Sequence, residues 1–245
     1  MRSDSSFKNL TSKKHIDPQT GQAHVHYFWK RNKVPLVEIT GKLPNKLSGL
    51  TLIQKDLGNA LKWMQLAQNL AKGTDITGNF VKANNRETFD VIKALFVASL
   101  TFYGKCFTEA NGRNAQASRN WLDEDYKELH DYYMNFRHNF AAHSGDEKIE
   151  LAKTFVLLHP KKKQELLPFL PTIRLQPDVV LPRTDSEEKG LEDLIVYVSK
   201  LVTERYNKLS QKIIHDLVLV EETAYWREKA KQNKPVELGF PKKKT

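Results

Sequence analysis

Residues Ala94 to Tyr103, ALFVASLTFY, are apolar nearly all the way round a helix. A helix with no polar face must be covered on several sides, so this run calls for a bundle with the helix at its centre. It should begin near Arg86 and carry Phe89, Ile92, Leu95, Phe96, Ser99, Leu100 and Tyr103 inward. Three other apolar stripes supply partners. Leu50, Ile53, Leu57, Leu61, Met64 and Leu70 recur mostly at three- and four-residue steps and predict a helix from Ser48 to Lys72, stopped by Gly73. Tyr126, Leu129, Tyr133, Phe136 and Phe140 mark another, opened by Asp123-Glu124-Asp125 where the helix dipole favours acids and stopped after His143 by Ser144-Gly145. Leu191, Leu194, Val198, Leu201, Ile213, Leu217 and Val220 mark the last, with Asp185 and Glu188 at capping-box spacing and the stripe persisting to Trp226. At 1.5 Å per residue this helix would reach about 60 Å. It must therefore break near Tyr206–Ser210 or pack its far end on another subunit. The expected fold is all-α, a four-helix up-and-down bundle over residues 49–232.

Around the bundle the periodicity changes. Residues 1–48 read as a polar, irregular arm punctuated by Pro18, Gly21, Pro35, Gly41 and Pro44, with short β-prone runs at Ala23–Trp29 and Val34–Ile39 that either pair as a hairpin or lie along the helical body. Residues 151–182 read as a β-hairpin excursion built from Thr154–His159, Thr172–Leu175 and Val179–Leu181. Residues 233–245 read as a flexible basic tail. His24 and His26 would share one side of a strand. No Cys, Asp or Glu joins them at ligand spacing, so no metal and no other cofactor is expected.

Lys and Arg number 39 against 29 Asp and Glu, a net charge of +10. Such a balance suits a polyanionic partner, RNA or DNA before acidic lipid. The single cysteine, Cys106, excludes an internal disulfide, fits a reducing compartment, and lies in an apolar helix pattern that suits a small buried residue better than a nucleophile. The opening MRSDSSFKNLTSKK lacks the apolar core of a signal peptide, and no apolar run reaches membrane-spanning length. A cytoplasmic protein is expected.

Chemistry concentrates at Arg137-His138-Asn139-Phe140-Ala141-Ala142-His143. His143 continues the apolar stripe, while Arg137 lies beside Phe136, about 120° around the helix. The two groups converge only if the helix end distorts, or if a second helix or subunit closes a cleft over the stripe. The plainer alternative makes Arg137 a solvated cation and His143 a C-capping histidine. Arg137 has Tyr133, Met134, Phe140 and Ala141 at its three- and four-residue neighbours, so no carboxylate of its own helix accounts for it. His130, seven residues earlier, would extend a polar row. Arg113 and Arg119 flank a polar loop as either phosphate contacts or solvated loop cations, and Lys161-Lys162-Lys163, a solvated tip in the plainer reading, is the densest positive run near the motif.

The segment FRHNFAAHS resembles the R-x(4–6)-H signature of the HEPN superfamily, with His138 in the polar slot where Asn or Asp is commoner. Val91–Arg113 is similar to the preceding helix of abortive-infection-type, HEPN-like bacterial proteins, and the resemblance spans roughly Leu50 to Ala224. It implies an HEPN-like bundle and a metal-independent, dimeric endoribonuclease whose motifs meet at the two-fold interface, used as a toxin or phage-defence effector. Arg137 would stabilise phosphate charge and His143 would act as acid–base, with His138 and Asn139 in support. The rival expectation is a non-catalytic HEPN module that dimerises, binds RNA, or is held by a nucleotidyltransferase-like antitoxin. A DNA-binding protein would need a helix-turn-helix with an exposed recognition face, and none is evident.

Overall fold

The computed structural model describes residues 9–18, 22–72, 86–110, 112–138, 151–161, 170–175, 189–232 and 236–237. The chain is mostly helical and divides into two compact units, Asn45–Ser210 and Met1–Pro44 with Gln211–Thr245.

In the first unit, one buried cluster draws on four helices: α1 (Lys42–Lys72), α2 (Arg86–Cys106), α3 (Glu124–Phe136) and α4 (Leu191–Ile213). Leu50, Ile53, Leu57 and Met64 of α1 meet Phe96, Leu100 and Tyr103 of α2. Tyr133 and Phe136 of α3 and Leu191, Leu194, Ile195, Val198 and Val202 of α4 complete the core. Each of these stripes was legible as a three-and-four repeat. The α2 helix is less enclosed than its composition suggested, since Ala94 and Val91 are exposed. The α1 helix starts at Lys42, earlier than expected, because Pro44 sits in its first turn, where no backbone N–H is needed. Gly41 precedes it at a φ of +128°, a conformation open to glycine.

The α3 helix begins after Asp123, as its acidic start suggested, and becomes π-helical at 137–138. Its expected continuation through Phe140 to His143 lies outside the described residues. The strands β4 (Leu151–Thr154) and β5 (Thr172–Leu175) pair antiparallel, and the ladder gains one bond from Phe155 N–H to the Pro171 carbonyl at 2.9 Å. The partner of Thr172–Leu175 is thus Leu151–Thr154. The Thr154–His159 run, read as a strand, continues past Thr154 as an exposed segment without strand pairing, and Val179–Leu181 lies outside the described residues.

The second unit corrects two expectations. The β-prone run at Ala23–Trp29 does pair as a hairpin with Val34, but within a larger sheet of β1 (Leu10–Ile16), β2 (Gln22–Trp29) and β3 (Asn32–Val34), with β6 (Val236–Glu237) pairing to β2, in place of an irregular arm. A chain read as all-α therefore carries an antiparallel sheet. β1, LTSKKHI, is exposed along its whole length, so it lacks the apolar alternation that reveals a strand. The run at Val34–Ile39 contributes only Val34 to a strand. Between β2 and β3, Lys30 and Arg31 both take positive φ, 46° and 74°. That backbone usually selects Asn-Gly. Beyond Ile213 the helix passes through a π-helical turn, Ile214–Val218, and stops; α5 (Thr223–Ala230) starts afresh. The break thus falls later than Tyr206–Ser210. Among the described residues, no helix is long and apolar enough to cross a membrane.

Candidate functional site

Of the residues singled out by sequence, Arg113 and Arg137 lie at the C-terminal turns of α2 and α3. Arg137 is the C-cap of α3, with helical backbone angles, and its N–H is shared between the carbonyls of Tyr133 and Met134. Its side chain runs back across α2 and rests on Gly104. A Cβ built on Gly104 would lie 2.7 Å from Arg137 Nε and 3.3 Å from its Cζ. The Nε–H is buried and has no hydrogen-bond acceptor among the described residues. None of the ion pairs among those residues includes Arg137. His138, the next residue, is exposed. Asn139 and His143 lie outside the described residues, so the Arg137–His143 separation is not part of the geometry.

The other proposed contacts sort differently. His130 is 5% exposed, so it does not extend a polar row at the surface. It faces α2, where Nδ1 shares a 2.7 Å hydrogen bond with the Tyr103 hydroxyl and its ring packs 4.3 Å from that of Phe107. Burial holds its pKa below the ordinary histidine value, opposed by Asp131 and aided by Arg119. The same burial drives the Tyr103 phenol far above its usual range, so the pair is a neutral hydrogen bond inside the α2–α3 seam.

Arg113 is a structural clamp and not a surface phosphate contact. It is 5% exposed. Its Nε donates to the Ala115 carbonyl and Nη2 to the Lys105 carbonyl at 2.6 Å, closing the last turn of α2. Nη1 lies 3.8 Å from the carboxylate of Asp56, which Lys105 also approaches at 2.9 Å. Gly49 of α1 admits the same loop, since a Cβ there would meet the Arg113 carbonyl and lie 2.7 Å from Ala115 Cβ.

Arg119 is exposed, but its fork is already taken. It grips Asp131 bidentately at 2.7 and 2.6 Å. The hydrogen bonds raise the pKa of Arg119 and hold the Asp131 carboxyl below its usual range. Lys161 is exposed, with its backbone N–H donating to His159 Nδ1 at 3.1 Å; Lys162 and Lys163 lie outside the described residues. Cys106 is buried, and that burial pushes its thiol up to about 12, which suits packing and not attack.

His24 and His26 do share one side of β2, with ring centroids 6.4 Å apart. Among the described residues, no group of three or more His, Cys, Asp or Glu gathers as a metal site. The residue that sequence reasoning missed is Gly104. In the sequence it reads, with Gly112, as a mark of the helix end where the chain turns, whereas α2 continues to Cys106. No family model, no curated protein and no solved structure matches the chain.

Proposed function

We propose that the chain is a metal-independent endoribonuclease of the HEPN type, a cytoplasmic protein that acts as a homodimer. The observation that carries this reading is the guanidinium of Arg137, which none of the ion pairs among the described residues includes. Of the three arginines singled out, Arg113 faces Asp56 and Arg119 is bound by Asp131. Arg137 meets no carboxylate among the described residues; its buried Nε–H lacks an acceptor there, as do Arg113 Nη1 and Arg205 Nε. A guanidinium with no described carboxylate beside it suits the negative charge of a phosphoryl oxygen.

In this mechanism His143 takes the proton from a ribose 2′-hydroxyl as its oxygen attacks the adjacent phosphorus. The bond to the 5′-oxygen breaks, leaving a 2′,3′-cyclic phosphate, and a second carrier returns a proton to the departing oxygen. His138, or His143 of a second copy, fills that part. The Arg137 fork stabilises charge building on the phosphoryl oxygens, and Asn139 orients the substrate. Use as a toxin or phage-defence effector, restrained by a nucleotidyltransferase-like antitoxin, follows from the same resemblance.

The test is RNA cleavage by the purified chain in excess chelator. Wild type should cut. Arg137→Ala should lower cutting about 10²–10³-fold and His143→Ala should abolish it, each retaining helical circular dichroism. RNA left intact across varied substrates, together with harmless expression, would overturn the enzyme and favour a non-catalytic HEPN module.

A further inference from the structure

Gly104 sits two residues before the end of α2, where alanine would make a better helix. The chain forgoes that gain at a point where the space of a side chain is already filled. The three atoms nearest to a Cβ built there are Cδ, Nε and Cζ of Arg137. The glycines of α1 provide the contrast. A Cβ on Gly58 would meet nothing within 4 Å, and one on Gly49 would strike the backbone of the 113–115 loop. At Gly104 the obstacle is the far half of one long side chain, whose own backbone stays helical and hydrogen-bonded. An added methyl group would therefore displace the guanidinium and leave the two helices in place.

We propose that Gly104 is the positioning residue for Arg137: its missing side chain forms the seat that holds the guanidinium against α2, with Nε–H turned into a buried position that has no acceptor among the described residues. The inference rests on reading Arg137 as the phosphate-binding group, and it explains how one flexible arginine at a helix end is held ready. Ordering the stem beforehand leaves less entropy to lose when a phosphate arrives.

The experiment uses the full chain labelled with 15N at arginine, the Arg137 Nε–H signal being identified by its loss in Arg137→Lys. In Gly104→Ala that signal should shift, and its proton should exchange with water about tenfold faster. Cleavage should lose about 100-fold in kcat with KM altered less than about threefold. Gly58→Ala should leave the signal and kcat unchanged. Stability supplies a second arm. In an Arg137→Ala background, Gly104→Ala should raise Tm by about 2–4 °C, as helix propensity alone requires, while in the native background it should lower Tm. If Gly104→Ala alone does not fold, the double variant should fold again. An unmoved signal, equal Tm changes in both backgrounds, or a double variant that stays unfolded overturns the seat. A shifted signal in a chain that never cuts RNA keeps the seat and overturns the ribonuclease.

Discussion

Arg113 and Arg137 reach neighbouring residues of the last turn of α2 and end in opposite electrostatic states. Arg113 donates to the carbonyl of Lys105 and faces Asp56; Arg137 lies on Gly104 and faces no carboxylate among the described residues. Each keeps one buried N–H without an acceptor among the described residues, Nη1 in Arg113 and Nε in Arg137, but of the two only Arg113 has a carboxylate beside it there. Two arginines of one chain thus differ in the counter-charge beside them, which their own charge does not reveal.

That contrast is open to attack from both sides. Asp56→Ala leaves Arg113 buried without its counter-charge, and urea denaturation should register a loss of about 3–5 kcal/mol. Lys105, half exposed, has an alternative in water, so Lys105→Ala should cost far less. Arg137→Ala should do the reverse: RNA cleavage falling about 10²–10³-fold, with stability changed by less than about 1 kcal/mol. If Arg137→Ala unfolds the chain as Asp56→Ala does, the two arginines are alike and the contrast disappears.

The His130–Tyr103 bond sharpens the comparison from a third direction, because it lies in the same α2–α3 seam and is neutral. His130 is held below its ordinary pKa when folded, so the unfolded chain binds more protons between the two values. Its contribution is complete above the ordinary histidine value near 6.5, falls as the pH drops through it, and levels off below the folded pKa. Denaturation midpoints from pH 8 to pH 5 should show that loss, and His130→Gln should flatten it. A wild-type curve without the slope would mean that the imidazole is not buried. The smallest effect belongs to the sheet. Replacing Lys30-Arg31 by Asn-Gly relieves two left-handed residues and should stabilise the hairpin by about 1 kcal/mol, seen as slower hydrogen exchange in β2.

The helical core was legible because burial of a helix leaves a periodic trace. Tyr133 and Phe136, or Leu191, Leu194 and Val198, announce their own inner face. β1 leaves no such trace, since a strand exposed along its whole length has no reason to alternate. Partnership also escaped the reading at Arg119 and Asp131, twelve residues apart, because only the chain reversal between the short 3-10 helix at Arg119–Trp121 and α3 brings them together. His130 was misjudged for a related reason. Its place beside the apolar stripe was visible, but the Tyr103 hydroxyl that allows it inside lies on another helix.

The linear order of residues determined four amphipathic helical segments, the acidic opening of α3, a strongly basic balance, and the placing of Arg137 where no carboxylate of its own helix can reach it. Those are local properties, set by spacing along one helix and by composition. Which arginine is neutralised, which histidine is sealed, and why position 104 holds a glycine were decided by tertiary packing alone. Each depends on a group brought from elsewhere in the chain, and charge or volume becomes meaningful only once that neighbour has arrived.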